Sequence, residues 1–116
     1  MIFRKLVDSV TTRTPKEYPP LTMTMLYELE EKLDEDKITA SDCELLDHYL
    51  SSCTGRPGYL KESLQEVGVN SFGRVKRILK NGLWNLNDYT YAEVQGTLLG
   101  CIEGLMERLE DGEKIY

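Results

Sequence analysis

The chain is organised around residues 89–112, which read YTYAEVQGTLLGCIEGLMERLEDG. Apolar residues recur in this stretch at the three- and four-residue spacing of an α-helix. They are Val94, Leu98, Leu99, Ile102, Leu105, Met106 and Leu109. Thr90 and Glu93 have the spacing of a capping box, and Gly112 is placed to end the helix in a left-handed conformation. The sequence therefore predicts a long C-terminal helix with one face in the core.

A second face of this helix carries a row of small residues. The row consists of Ala92, Gly96, Gly100 and Gly104. At about 100° per residue, it lies away from the apolar face and among glutamates that include Glu103 and Glu107. A glycine inside a helix costs about 1 kcal/mol relative to alanine, and a solvated face has no need of such residues. The row therefore indicates that something packs close to this face.

Three explanations for the row remain open. A neighbouring helix of the same chain could cover it, a partner protein or a second copy could bind it, or it could have no structural cause. The glutamates beside it exclude a transmembrane dimer, the setting in which such rows are best attested. Because whatever covers the row must tolerate acids, our first candidate is the basic helix at residues 71–80, from this chain or a second copy.

The composition indicates a single acidic domain. The chain has 116 residues and a net charge of −6, and this length is enough to bury a core. It has no apolar run of about 18 residues that could span a membrane, and its first ten residues lack the apolar stretch of a secretory signal. The three cysteines are an odd number without a disulfide framework, so we expect a cytoplasmic protein.

Start and stop signals for further helices recur along the chain. Thr22 and Thr39 each follow an apolar residue that can pack onto the first helical turn. Residues 2–10 have an amphipathic pattern, and three prolines in residues 11–20 predict a linker. We therefore predict an all-α bundle of five or six helices around the long C-terminal one. Residues 1–20 would form an N-terminal helix or arm plus linker, and residues 21–116 the body.

Catalytic and metal-binding motifs are absent from the sequence. Cys43, His48 and Cys53 are each five residues apart, a spacing that points them in three directions on a helix. They cannot share a metal ion, nor form a thiol–imidazole pair for catalysis. The sequence has no phosphate-binding loop either. We expect no metal, no cofactor and no enzymatic activity.

A basic block stands out in this acidic chain. Residues 67–87 contain four bases and no acid, whereas residues 21–66 contain four bases and eleven acids. Residues 60–79 have the outline of helix, tight glycine turn and helix, with Arg74, Arg77 and Lys80 on the second helix. Such a helix-turn-helix could place its second helix in a DNA major groove. The apolar positions fit that motif poorly.

A second pattern in the same segment consists of Leu64, Gly68-Val69, Phe72-Gly73, Lys76 and Ile78-Leu79. This pattern resembles the closing part of a sterile alpha motif (SAM) domain, a helical interaction module. Val75 departs from the pattern, since the family commonly has a basic residue there, and so does the long helix that follows. The resemblance implies that this segment serves contacts between proteins.

We therefore expect a small acidic regulatory or inhibitory protein that binds another protein or a second copy of itself. Proteins of this kind are common among phage and mobile-element products, which is an association rather than a deduction. The alternative is a DNA-binding regulator that uses residues 60–80. The predicted partner-binding residues are Gly96, Gly100, Gly104, Glu103, Glu107, Arg74, Arg77 and Lys80.

Overall fold

A computed structural model describes residues 18–82 and 89–116 of the protein. These residues form five helices and no strand, so the all-α prediction is confirmed. The helices are α1 (Met23–Asp34), α2 (Ala40–Thr54), α3 (Tyr59–Glu66), α4 (Gly73–Gly82) and α5 (Tyr89–Glu110). The helix predicted at residues 2–10, and the linker up to residue 17, lie outside the described residues.

Helix α5 is the centre of the bundle. Helices α1 to α4 each pack against it, and its apolar face is buried through Val94, Leu98, Ile102 and Leu105. The predicted arrangement around a long C-terminal helix is confirmed. The helix begins at Tyr89, within one residue of the predicted start, and the capping box of Thr90 and Glu93 stays a prediction.

Gly68 and Gly112 each end a helix with a left-handed backbone, as Gly55 does after α2. Gly68 follows α3 with φ +89°, and Gly112 follows α5 with φ +91°. The residue after each of these two glycines donates its N–H back to a carbonyl of the last helical turn. After Gly112, for example, the N–H of Glu113 donates to the carbonyl of Arg108 at 3.0 Å. These paired backbone bonds are Schellman motifs, which favour glycine because it has no Cβ. Both predicted helix ends are confirmed.

The predicted helix starts at Thr22 and Thr39 are also confirmed. The Thr22 hydroxyl accepts a hydrogen bond from the N–H of Met25 at 3.3 Å. Thr39 forms a reciprocal capping box with Asp42, in which each backbone N–H donates to the other's side chain, at 3.0 and 3.2 Å. These bonds satisfy N–H groups that the first turn of a helix otherwise leaves unpaired.

The two ends of the body are tied together. The N–H of Leu21 donates to the carbonyl of Ile115 at 2.9 Å, and both side chains are buried. The residues after α5 therefore pack against the start of α1. This contact holds the C-terminal end of α5 within the bundle.

Replacing Asp42 with alanine should lower the free energy of unfolding by about 1–3 kcal/mol, because the Thr39 N–H loses its acceptor. Lys32→Ala is the matched control, since it removes only the cation that lies 3.2 Å from Asp42 and is half exposed. That loss should stay below about 1 kcal/mol. Urea unfolding measures the free energy of unfolding of both variants. Equal losses in Asp42→Ala and Lys32→Ala would contradict the importance of the Asp42 cap.

Candidate functional site

The glycine row of α5 is exposed. A Cβ built at Gly96, Gly100 or Gly104 meets no atom within 4 Å. No described residue covers these positions, so the explanation that a neighbouring helix lies on them is wrong for this part of the chain. The physical reason is that α4 joins the core at the apolar side of α5, through its buried residues Val75 and Leu79.

The glycines border an open groove with a volume of about 490 Å³. Helix α5 forms one side, and the C-terminal half of α2 and the outer face of α3 form the other. Its walls are mixed: the apolar and sulfur-containing side chains are Leu50, Cys53, Tyr59, Val67, Cys101 and Leu105, and the polar ones are Thr54, Ser63, Glu66, Thr97 and Arg108. Because the glycines lack side chains, the backbone of α5 itself is accessible from the groove.

The far wall of the groove is fixed by hydrogen bonds from α2 to the start of α3. Gly58, before α3, has no side chain to cap the helix. Asp47 of α2 takes over this role, because its carboxylate accepts from the N–H of Leu60 at 2.8 Å. The Ser51 hydroxyl accepts from the N–H of Gly58 at 3.1 Å. Helix α3 is therefore held in place by α2, and the groove keeps its width.

The charge at the groove is acidic. Glu66 lines it from α3, and Glu103 and Glu107 are exposed on α5, each three residues after a glycine of the row and so next to it on the helix surface. The groove-lining cation Arg108 is already bonded to Glu113, at 3.0 and 3.3 Å. Among the residues that the structure describes, the acids in and beside the groove therefore outnumber the free bases.

Two of the three free cysteines line this groove. Burial, with Asp47 as a second cause, raises the pKa of the Cys101 thiol to about 11. Burial also raises the pKa of Cys53, although the nearby Arg108 opposes the shift. Cys43 is fully buried in the core, where burial and then Asp42 raise its pKa to about 12. All three are therefore mostly protonated at neutral pH and are weak nucleophiles.

The structure separates the predicted partner-binding residues into two groups. The three glycines line the groove on α5, and Glu103 and Glu107 are exposed beside them on the same helix, outside the groove lining. Arg74, Arg77 and Lys80 are exposed on α4, which contributes no residue to the groove. The idea that the basic helix of the same chain covers the glycine row is therefore wrong.

The described residues also bear on other kinds of site. Among them, no group of three histidine, cysteine or acidic residues is placed to hold a metal ion. His48 stacks on the ring of Tyr18, with 4.3 Å between centroids. Within the same part of the chain, no helix is both long and apolar enough to cross a bilayer.

Comparisons of the chain with known protein families, curated proteins and solved structures give no match. The resemblance of residues 64–79 to a SAM domain stays a prediction.

Sequence reasoning missed the far wall of the groove. Tyr59, Val67 and Glu66 follow residues 54–58, TGRPG, whose glycines and proline predict a helix boundary but not the direction of the next helix. The spacing of Cys53 bears on metal binding and on thiol catalysis but does not place it in a groove. The available signal was Asp47, an acid on the apolar side of α2, which caps α3 and so reveals how the two helices meet.

Cys53 and Cys101 should react with a thiol reagent in the folded protein, and Cys43 only after unfolding. The rates should keep rising from pH 7 to above pH 9, because the thiolate is the nucleophile and the raised pKa values delay its formation. Reaction with Ellman's reagent, with Cys53→Ser and Cys101→Ser as controls, measures this. A rate that levels off below pH 9, or rapid reaction of Cys43, would contradict the burial described.

Proposed function

We propose that this protein is a small regulatory or inhibitory protein that acts by binding another protein, and that its groove receives an α-helix of that partner. The observation that carries the proposal is the exposure of Gly96, Gly100 and Gly104 along a groove whose walls carry apolar side chains among polar ones. Amphipathic helices commonly bind in apolar grooves, with side chains at helical spacing as anchors.

The energetic cost of the glycine row supports this proposal. Three glycines within a helix cost on the order of 3 kcal/mol relative to alanine. A domain of this size has a stability of about 5–15 kcal/mol. No contact among the described residues offsets the cost, since nothing packs on the glycines. A bound helix offsets it, because the absence of side chains lets a second backbone approach α5 closely.

The chemistry of the described side chains favours binding over catalysis. The thiols at the groove have raised pKa values, as does the buried Cys43. The ring of His48 is stacked on Tyr18, so this histidine does not point into the groove as a general base for a thiol. We therefore assign no reaction to the groove.

DNA binding through α4 is the second candidate function. Arg74, Lys76, Arg77 and Lys80 are all exposed on this helix, and α3, the turn at Gly68 and α4 give it a helix-turn-helix outline. The net charge of −6 argues against it, because phosphate repulsion opposes binding by the rest of the molecule. Protein binding therefore ranks first.

A cytoplasmic location is also proposed. The three cysteines are free in the structure, which suits a reducing compartment. An origin in a phage or mobile element stays an association from size and composition.

Gly100→Leu should abolish capture of the partner, because a leucine side chain fills the groove at the centre of the row. Ala92→Leu is the matched control, since Ala92 is exposed on the same helix but does not line the groove. Affinity capture with mass spectrometry should recover the same protein with wild type and Ala92→Leu, and lose it with Gly100→Leu.

Gly100→Leu should unfold at or above the wild-type temperature, because leucine favours the helix more than glycine does, and Ala92→Leu should unfold close to it, because alanine and leucine are both good helix formers. Capture of one and the same set of proteins by all three forms would show that partners bind elsewhere.

A further inference from the structure

We infer that the helix bound in the groove is basic, with an apolar or small-residue stripe flanked by lysine or arginine. This inference rests on the proposed function of the groove and adds the chemistry of the partner. It follows from the charges that the fold leaves unpaired around the glycine row.

Among the described residues, the acids at and beside the groove have no cation of their own. Within residues 18–82 and 89–116, no ion pair includes Glu66, Glu103 or Glu107. The bases beside the groove are already engaged. Arg108 is paired with Glu113 at 3.0 Å, and Arg56 lies 2.8 Å from Glu62 and over the ring of Tyr59. A bound helix therefore meets uncompensated negative charge.

The positions of these acids define the pattern of the partner. Glu103 and Glu107 are one turn apart along α5, about 6 Å, while Glu66 lies on α3 across the groove. A helix lying along the row would pass between these two edges. Bases spaced four residues apart can face Glu103 and Glu107 together, while the stripe between them contacts the glycines. Charge complementarity of this kind favours one class of partner over others.

A second copy of the chain fits this groove poorly. Pairing of two α5 helices through their glycine rows would bring Glu103 and Glu107 of both copies together, and such like-charge contacts are costly. Helix α4 of a second copy has the bases, but its Val75 and Leu79 are buried in its own core and cannot supply the stripe. The fitting partner is therefore a basic amphipathic helix of another protein.

The test uses two synthetic helical peptides with the same leucine and alanine stripe, one flanked by lysines and the other by glutamates. Fluorescence anisotropy of the labelled peptides with the full chain measures both dissociation constants. The lysine peptide should bind about tenfold more tightly, since three exposed charge pairs each contribute modestly. Gly100→Leu should abolish its binding.

Glu103→Gln with Glu107→Gln should weaken lysine-peptide binding about three- to fivefold. The matched control is Glu28→Gln with Glu31→Gln, which removes the same charge from exposed sites on α1, a helix that does not line the groove. The control pair should leave the dissociation constant unchanged. An equal effect of both pairs would show non-specific attraction and overturn the inference.

The remaining outcomes separate the two proposals. Equal affinity for both peptides, lost in Gly100→Leu, would keep the groove as the binding site and overturn its preference for bases. Failure of the lysine peptide to bind, or binding unaffected by Gly100→Leu, would overturn both proposals.

A dimer in light scattering that Gly100→Leu dissociates would assign the groove to a second copy. Phe3 is one of the apolar residues in the amphipathic pattern at residues 2–10. Tighter peptide binding by Phe3→Asp would assign the groove to that segment of the chain, and either result would overturn the inference.

Discussion

One-sided burial of α5 is the constraint on which the rest of the structure depends. The four other helices of the described residues pack against α5, and its core face is filled by residues such as Leu98 and Ile102. The opposite face has no partner among the described residues. Since α2 and α3 approach from one edge of that free face, and glycines replace side chains along it, the packing of the core leaves a groove.

The local features of the fold were predictable because they depend on residues close together in sequence. The caps at Thr22 and Thr39, the glycine ends at Gly68 and Gly112, and the apolar face of α5 follow from spacing alone. The angular position of the glycine row was predictable for the same reason. What covers the row depends on the directions of other helices, and no spacing within α5 contains that information.

Only the part of the candidate site that lies on α5 was predictable from the sequence. The glycines and glutamates of α5 do lie on one surface, but the bases of α4 do not join them. The prediction that the α4 bases lie on the glycine row rested on opposite charge. Charge alone does not indicate which face of each helix is buried in the core. The missing information was the contact between α2 and α3. The Asp47 carboxylate accepts a hydrogen bond from the N–H of Leu60, and this bond sets the position of α3. Spacing within either helix does not reveal such a contact. A violation of local helix preference, with no compensating contact, is the sign of a functional surface.

The central claim is that the glycines serve binding and not the fold, and the free energy of unfolding tests it most directly. The variant Gly96→Ala with Gly100→Ala and Gly104→Ala adds three methyl groups, each in a space with no atom within 4 Å. Urea unfolding should show a gain of about 2–3 kcal/mol over wild type, because alanine is the better helix former at each position. A variant less stable than wild type would contradict the claim and return the glycine row to internal packing.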